Sequence, residues 1–240
     1  MKLKKIASLM LAGVMAVSML AGCSTTSNEP QEPITPPTTT PVSGYSQMLY
    51  NQLSNAGKKK VTAQDDNAVN EALETAMGYA AGNTIANSYD WYIDGDTHVV
   101  NNGDWSNAPD ALKNGANALI NALGAENSLK DNIWQAFNVL DPTDVDNQYQ
   151  RDNMNISMLF VADGLKSKTA VMDEIADLID QQIQWLEDDY DLPGDIWQDN
   201  GGHSMNTDYD YTMSVAADTI TLGADHGKSM TFVAVNIARV

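Results

Sequence analysis

A chain of 240 residues with one cysteine, Cys23, cannot close a disulfide within itself. Its fold must therefore rest on apolar burial and hydrogen bonding alone. The position of that cysteine narrows the reading further. Residues 1–5 carry three lysines and no acid, and residues 6–20 are almost wholly apolar. The apolar run is shorter than the roughly 20 residues that span a bilayer comfortably. Small residues then lead into the cysteine. A basic start, a short apolar run and small residues before a cut form the layout of an export signal rather than of a membrane helix. An exported chain with a single thiol has no internal partner for it, so Cys23 needs another use.

Leu20-Ala21-Gly22-Cys23 resembles the lipobox of bacterial lipoproteins, in which a lipid is attached to the cysteine and the chain is cut just before it. The resemblance implies a signal peptide over residues 1–22 and lipidation at Cys23. It also implies anchorage by acyl chains such as palmitate to the outer face of the bacterial cytoplasmic membrane, at the cell surface. Each buried lipid CH₂ contributes about 0.8 kcal/mol, and stable anchoring takes more than one chain. Members of the family typically carry more than one. Residues 24–44 then read as a tether. Pro30, Pro33, Pro36, Pro37 and Pro41 are interspersed with Thr35, Thr38, Thr39 and Thr40. Proline removes backbone donors and favours an extended chain, and few large side chains are available to pack. Residues 45–240 are long enough to bury a substantial core as one domain.

The formal net charge is −19. Residues 1–22 hold three lysines and no acid, so the remainder carries ten basic against 32 acidic residues, a net charge near −22. Nucleic acid is excluded as a partner, because neutralising phosphates takes clustered Lys and Arg. Attraction to anionic lipid heads is disfavoured for the same reason, which leaves the lipid as the membrane contact.

Periodicity supplies the elements. Residues 45–55 read as a short helix with Met48, Leu49 and Leu53 on one side. Thr62 is expected to cap a second helix, with Asp65 favouring its first turn, and Val69, Leu73, Met77 and Ala80 recur at helical spacing to about residue 86. Two further helices are expected over 107–123 and 128–140. Leu112, Ala116, Leu119 and Leu123 stripe the first, and Leu129, Ile133, Phe137 and Leu140 the second. Gly124 and Pro142 are their stops, and the short link predicts an antiparallel pair. The final third turns to strands. Met154, Ile156, Met158 and Phe160 alternate with Asn155, Ser157, Leu159 and Val161, which suits a largely buried strand. An amphipathic helix follows, striped by Met172, Ile175, Ile179, Ile183 and Leu186 and ended by Pro193-Gly194. Residues 209–217 and 230–238 then read as an antiparallel hairpin, with Gly223 and Gly227 in its connection. The expected class is α+β: a helix-rich N-terminal part packed on a small antiparallel sheet formed mainly by the C-terminal third, with an α-β-α sandwich as its three-layer form.

Residues 89–106 have a different texture, with Trp91, Tyr92 and Trp105 set among acids, Asn and Gly. Aromatics beside polar groups suit sugar or peptide recognition, and equally suit a loop pinned to the domain by its rings. Asp141, Asp144 and Asp146 crowd one turn, where oxygen ligands this dense offer a calcium site without the spacing of an EF-hand loop. The three histidines, His98, His203 and His226, form no HExxH or other tight metal motif. No GxSxG element and no phosphate-binding glycine loop is present.

Gly202-His203-Ser204-Met205-Asn206, followed by Tyr211-Thr212 leading into the next-to-last strand, resembles the bacterial CAP (SCP-like) superfamily pattern. Asn155-Ile156 matches that family's Glu-Asn-Ile strand, with Met154 where the family has Glu, and Ser214-Val215-Ala216 stands where it has Gly-Val-Gly. The resemblance covers residues 154–238. It implies an α-β-α sandwich with a cleft lined by His203 and Asn206 and joined by His98. Two neutral imidazoles with a carboxylate such as Asp96 suit zinc.

Three functional readings follow. The first is a tethered, non-enzymatic surface module that binds a cell-wall glycan, a peptide, a protein or a small ligand through an aromatic or acidic concavity around Trp91, Tyr92 and Trp105. The second is a CAP-like or metal-assisted envelope hydrolase using His203 and His98. The third is a structural envelope component.

Overall fold

Near-continuous apolar runs build the middle of the domain. The computed structural model describes residues 44–81, 95–141, 154–187, 209–222 and 228–240. The chain divides into two units, Met1–Thr39 and Thr40–Val240, and every described residue belongs to the second. In chain order the described elements are helix α1 (Tyr45–Gln52), strand β1 (Thr62–Ala63), helix α2 (Asn67–Ala80), strand β2 (His98–Val99), helix α3 (Asp110–Leu123), helix α4 (Ile133–Asn138), strand β3 (Met154–Asp163), helix α5 (Lys168–Gln184), and strands β4 (Tyr211–Leu222) and β5 (Lys228–Arg239). The fold is α+β.

The five strands lie in the order β1-β4-β5-β3-β2. β5 is the centre. It runs antiparallel to β4 from Tyr211↔Arg239 to Leu222↔Lys228, and antiparallel to β3 from Met154↔Arg239 to Asp163↔Met230. β1 joins β4 in parallel and β2 joins β3 antiparallel. Because side chains alternate along a strand, one sequence supplies two faces. Ile156, Met158, Phe160, Val233, Val235 and Ile237 face one core, which α1, α4 and α5 cover. Leu159, Val161, Phe232 and Ala234 face the other, covered by α2 and α3. The described residues thus form three layers, with the sheet in the middle. Phe160 and Phe232 are fully buried on opposite faces, and burial of such a side chain contributes about 1.5–3 kcal/mol.

Both outer strands are only two residues long, which would leave β3 and β4 with bare edges. Backbone and side-chain groups of the adjoining segments continue the ladder instead. Beyond β2, Glu126 N–H donates to Asn155 O at 2.9 Å. The Asn127 amide then pairs with Ser157 in both directions, donating Nδ2–H to Ser157 O (3.0 Å) and accepting Ser157 N–H at Oδ1 (2.9 Å). Beyond β1, Gln64 N–H donates to Met213 O, and Val215 N–H donates to Ser46 Oγ at 2.8 Å. Asn127 and Ser46 are both buried. These contacts close edges that would otherwise invite pairing with another chain.

Several expectations are corrected. Thr62 is not a helix cap: it pairs with Thr212 in β1, and Asp66 caps α2 by accepting Ala68 N–H at 2.9 Å. Asp65 serves α1 instead, accepting from Gly44 N–H (3.0 Å) and Ser46 N–H (3.3 Å), where a carboxylate complements the positive helix start. The expected α3–α4 pair is not formed. α3 packs on α2, close enough that a Cβ on Gly115 would meet Ala76 O at 2.7 Å. Gly124 stops α3 in the left-handed conformation, φ 59°. The chain then rounds the edge of β3 through Glu126 and Asn127 and places α4 on the opposite face. The single stripe expected over 128–140 is accordingly split. Leu129 joins the α2/α3 core, while Ile133, Phe137 and Leu140 join the other.

Candidate functional site

The residues nominated from sequence fall into two groups. Trp91, Tyr92, Asp144, Asp146, His203, His226, Asn206, Cys23, and the helix stop at Pro193-Gly194 lie outside the described residues. Asp96, His98, Trp105 and Asp141 are described. His98 opens β2 and stacks on Trp105 with ring centroids 4.6 Å apart. Trp105 is half-buried against the α2/α3 core. Its loop is held by Asn101, whose Oδ1 accepts Asp104 N–H at 2.5 Å, and by Asp104, whose Oδ2 accepts Ile133 N–H at 2.7 Å at the start of α4. Trp105 therefore pins the loop by its ring. Asp96, two residues before His98, is exposed. Among the described residues, no three His, Cys, Asp or Glu side chains come together in a way that would hold a metal ion.

A polar cluster lies between β2 and α5. Glu174 accepts from Thr97 Oγ1 (2.5 Å) and from Lys166 Nζ through both carboxylate oxygens (2.6 Å each). Partial burial opposes ionisation of Glu174. The hydrogen bonds from Lys166 and Thr97 and the Lys166 charge outweigh it and hold the carboxyl below its ordinary value. Nearby, Lys168 donates to the hydroxyls of Thr219 and Thr231, and burial lowers its pKa against the opposing pull of Asp218. Both clusters are ion-pair and hydrogen-bond latches between α5 and strands. The interior cavity between β3 and α4, which touches Asn127 and Ser157, is about 10 Å³. That is room for about one water at most, so it is no ligand site.

Another concavity, lined with aromatic and polar groups, lies where α4 meets the C-terminal end of α5. It is an open groove of about 310 Å³. It is lined by Phe137 and Leu186, both buried, and by Trp134 and Trp185. These indoles are 52% and 57% exposed, although tryptophan ordinarily buries most of its surface. Asn138 and Gln182 add amides, and Asp141 and Glu187 add carboxylates. The sequence explains the exposure. On α4 the apolar stripe is Ile133, Phe137 and Leu140, and Trp134 falls one position off it. On α5 the stripe ends Ile179, Ile183, Leu186, and Trp185 again falls off it. A large aromatic placed outside the core stripe of a helix was the available signal.

The end of the sheet fixes both helix ends. Tyr211 and Arg239 are cross-strand partners at the end of the β4–β5 ladder. Arg239 Nη1 donates to Leu140 O at 3.0 Å, just past α4, and Tyr211 Oη donates to Glu187 O at 2.9 Å, just past α5. The Arg239 guanidinium is 1% exposed and also lies 4.7 Å over the Tyr209 ring. A cation at the end of α4 is favourable, since helix C-termini carry partial negative charge. Two adjacent strand residues thus tie the two helix ends to one rigid base.

Comparison of the chain with protein-family models, with curated proteins and with solved structures finds no match. Among the described residues, no helix is long and apolar enough to cross a membrane.

Proposed function

We propose that this chain is a bacterial envelope lipoprotein, held at the cell surface by lipid on Cys23, whose domain binds an extracellular ligand in the α4/α5 groove. The observation that carries the binding reading is the pair of half-exposed indoles, Trp134 and Trp185, that line one groove. Aromatic walls with a few polar groups are the usual make-up of a ligand site, and about 310 Å³ falls in the usual range for one. The lipidation reading is supported by Leu20-Ala21-Gly22-Cys23 and by the absence of any second cysteine. In this reading residues 24–44 are the tether.

Two experiments test the proposal. Growth of expressing cells with a palmitate analogue bearing a clickable group should label the chain, and Cys23→Ser should abolish the label; a labelled Cys23→Ser variant would contradict the anchor. For the groove, full-length protein in detergent micelles should be screened on glycan and peptide arrays beside the Trp134→Ala/Trp185→Ala double variant. Ligands retained by the wild type and lost by the double variant support the site. Retention by both would place binding elsewhere.

A further inference from the structure

We infer that the free edge of β4 pairs with the same edge of a second copy of this chain, antiparallel about a two-fold axis at Ile220, so that two five-stranded sheets join into one. This edge lies at the opposite end of β4 from Tyr211, which ties the sheet to the α4/α5 groove.

β3 is flanked on its outer side from Val161 to Asn155 by β2, Val100, Asn127 and Glu126. β4 is flanked over only part of its length. Met213 O accepts Gln64 N–H and Val215 N–H donates to Ser46 Oγ, so the odd-numbered residues of β4 turn their backbone groups away from β5. One-to-one pairing with β5 runs unbroken to Leu222↔Lys228, so Ala217, Thr219 and Thr221 also turn theirs outward. The flanking contacts stop at Val215, and among the described residues no backbone group bonds to these three on the outer side. One outward donor is covered locally, since Thr219 N–H donates to Asp218 Oδ1 at 2.7 Å. Asp218 is the one charge on the stretch; Lys, Pro and a bulge, the other common guards of an edge, are absent from residues 217–221, and Thr-Ile-Thr favours an extended chain.

A bare edge takes a strand, and a second copy supplies a matching one. A two-fold contact pairs a surface with itself, which needs donors and acceptors on the same patch, and Thr219 and Thr221 offer both. Two registers set outward groups against outward groups here. With the axis at Thr219, the two copies of Asp218 stand two positions, about 7 Å, apart along the strand. That is within the Debye length of about 8–10 Å, so the carboxylates repel. With the axis at Ile220, they stand four positions, about 13 Å, apart and are screened. This second register pairs Thr219 with Thr221 of the second copy through backbone hydrogen bonds, threonine opposite threonine, and brings the two Ile220 side chains together as a closely spaced non-hydrogen-bonded pair. Ile220 is half-buried against the α2/α3 core, so the joined edges continue that core across the axis. Thr219 N–H exchanges its bond to Asp218 for one to Thr221 O of the second copy, and the carboxylate returns to water. The net charge of −19 opposes association, so pairing strengthens as salt screens it.

The test uses full-length protein in neutral detergent micelles and oxidative cross-linking of Ile220→Cys and Glu74→Cys, with the wild type giving the background from Cys23. The Cα atoms of a non-hydrogen-bonded antiparallel pair lie about 4.5 Å apart, within disulfide reach. Ile220→Cys is expected to form a disulfide dimer at least tenfold faster than Glu74→Cys, which lies on the exposed face of α2. Sedimentation of the protein in density-matched detergent is expected to show a dimer that tightens with salt and that Thr221→Pro weakens at least tenfold. Thr221 is exposed and its N–H points away from β5, so proline there spares the β4–β5 ladder and circular dichroism should be unchanged. Equal cross-linking of Ile220→Cys and Glu74→Cys, or a wild type that sediments as a monomer at every concentration and salt, overturns the inference. A dimer unmoved by a folded Thr221→Pro places self-association elsewhere and overturns it as well. If Thr221→Pro does not fold, the cross-linking comparison decides alone.

Discussion

Two regions of this molecule place tryptophan beside carboxylates, and they use it in opposite ways. After β2, Trp105 stacks on His98 and packs on the α2/α3 core, while Asn101 and Asp104 spend their side chains on the loop's own backbone and on Ile133 N–H. At the ends of α4 and α5, Trp134 and Trp185 stand more than half exposed around a groove lined also by the buried Phe137 and Leu186. Composition does not separate the two. What separates them is whether the ring completes a core or sits off a core that is complete without it. In the first region the polar groups satisfy protein donors. In the second, the backbone ties come from below, from Arg239 and Tyr211, and leave the indoles presented.

The contrast can be broken in several places. The largest effect is expected in the closed region, at Asn127→Leu. The substitution leaves Ser157 N–H and C=O without the Asn127 amide in a buried edge, and each unsatisfied buried group costs about 1–3 kcal/mol. Denaturant unfolding should show a loss of about 2–4 kcal/mol; a loss under about 0.5 kcal/mol would mean that the edge is not closed by this side chain. Trp105→Ala comes next. It removes a half-buried ring and a stacked pair that contributes about 0.5–1.5 kcal/mol beyond area, and a total loss of about 1–2 kcal/mol is expected by the same measurement.

Glu174→Gln is smaller and depends on pH. The folded-state pKa of Glu174 is depressed, so its ionised form contributes stability above the unfolded-state value, and this contribution is lost as pH falls through the folded value. The carboxylate is partly exposed, which limits the contribution to under about 1 kcal/mol. The wild-type advantage over Glu174→Gln should therefore be present at neutral pH and vanish in acid below the ordinary carboxylate range. An advantage that grows on acidification would contradict the Lys166–Glu174–Thr97 arrangement. Smallest in stability are Trp134→Ala and Trp185→Ala, each expected within about 0.5 kcal/mol of wild type, as for other surface changes. A loss above about 2 kcal/mol in either would mean that the ring is structural and that the contrast with Trp105 is false.

The strands and the longer helices were legible in the sequence because period reports burial. Residues 154–161 read as a largely buried strand and lie in β3, Met154–Asp163, and the stripe Met172, Ile175, Ile179, Ile183 lies on α5 as expected. The hairpin of β4 and β5 was legible for the same reason. What was not legible depends on partners far away in sequence. Nothing local says that Asp65 caps α1 rather than α2, or that Thr62 pairs with Thr212 across 150 positions. The change of face between Leu129 and Ile133 is also invisible to a helical period, since both residues are apolar and four apart. The groove was missed because attention to aromatics went to the segment where they are densest. Trp134 and Trp185 stand singly, and their departure from the stripe shows only once the stripe is known to be core.

The central claim is that Trp134 and Trp185, and not Trp105, face the ligand. The most direct measurement is hydroxyl-radical footprinting of full-length protein in micelles, read by mass spectrometry at each tryptophan. Rapid modification of Trp134 and Trp185 and slow modification of Trp105 are expected. Rapid modification of Trp105, or slow modification of Trp134 and Trp185, would contradict it.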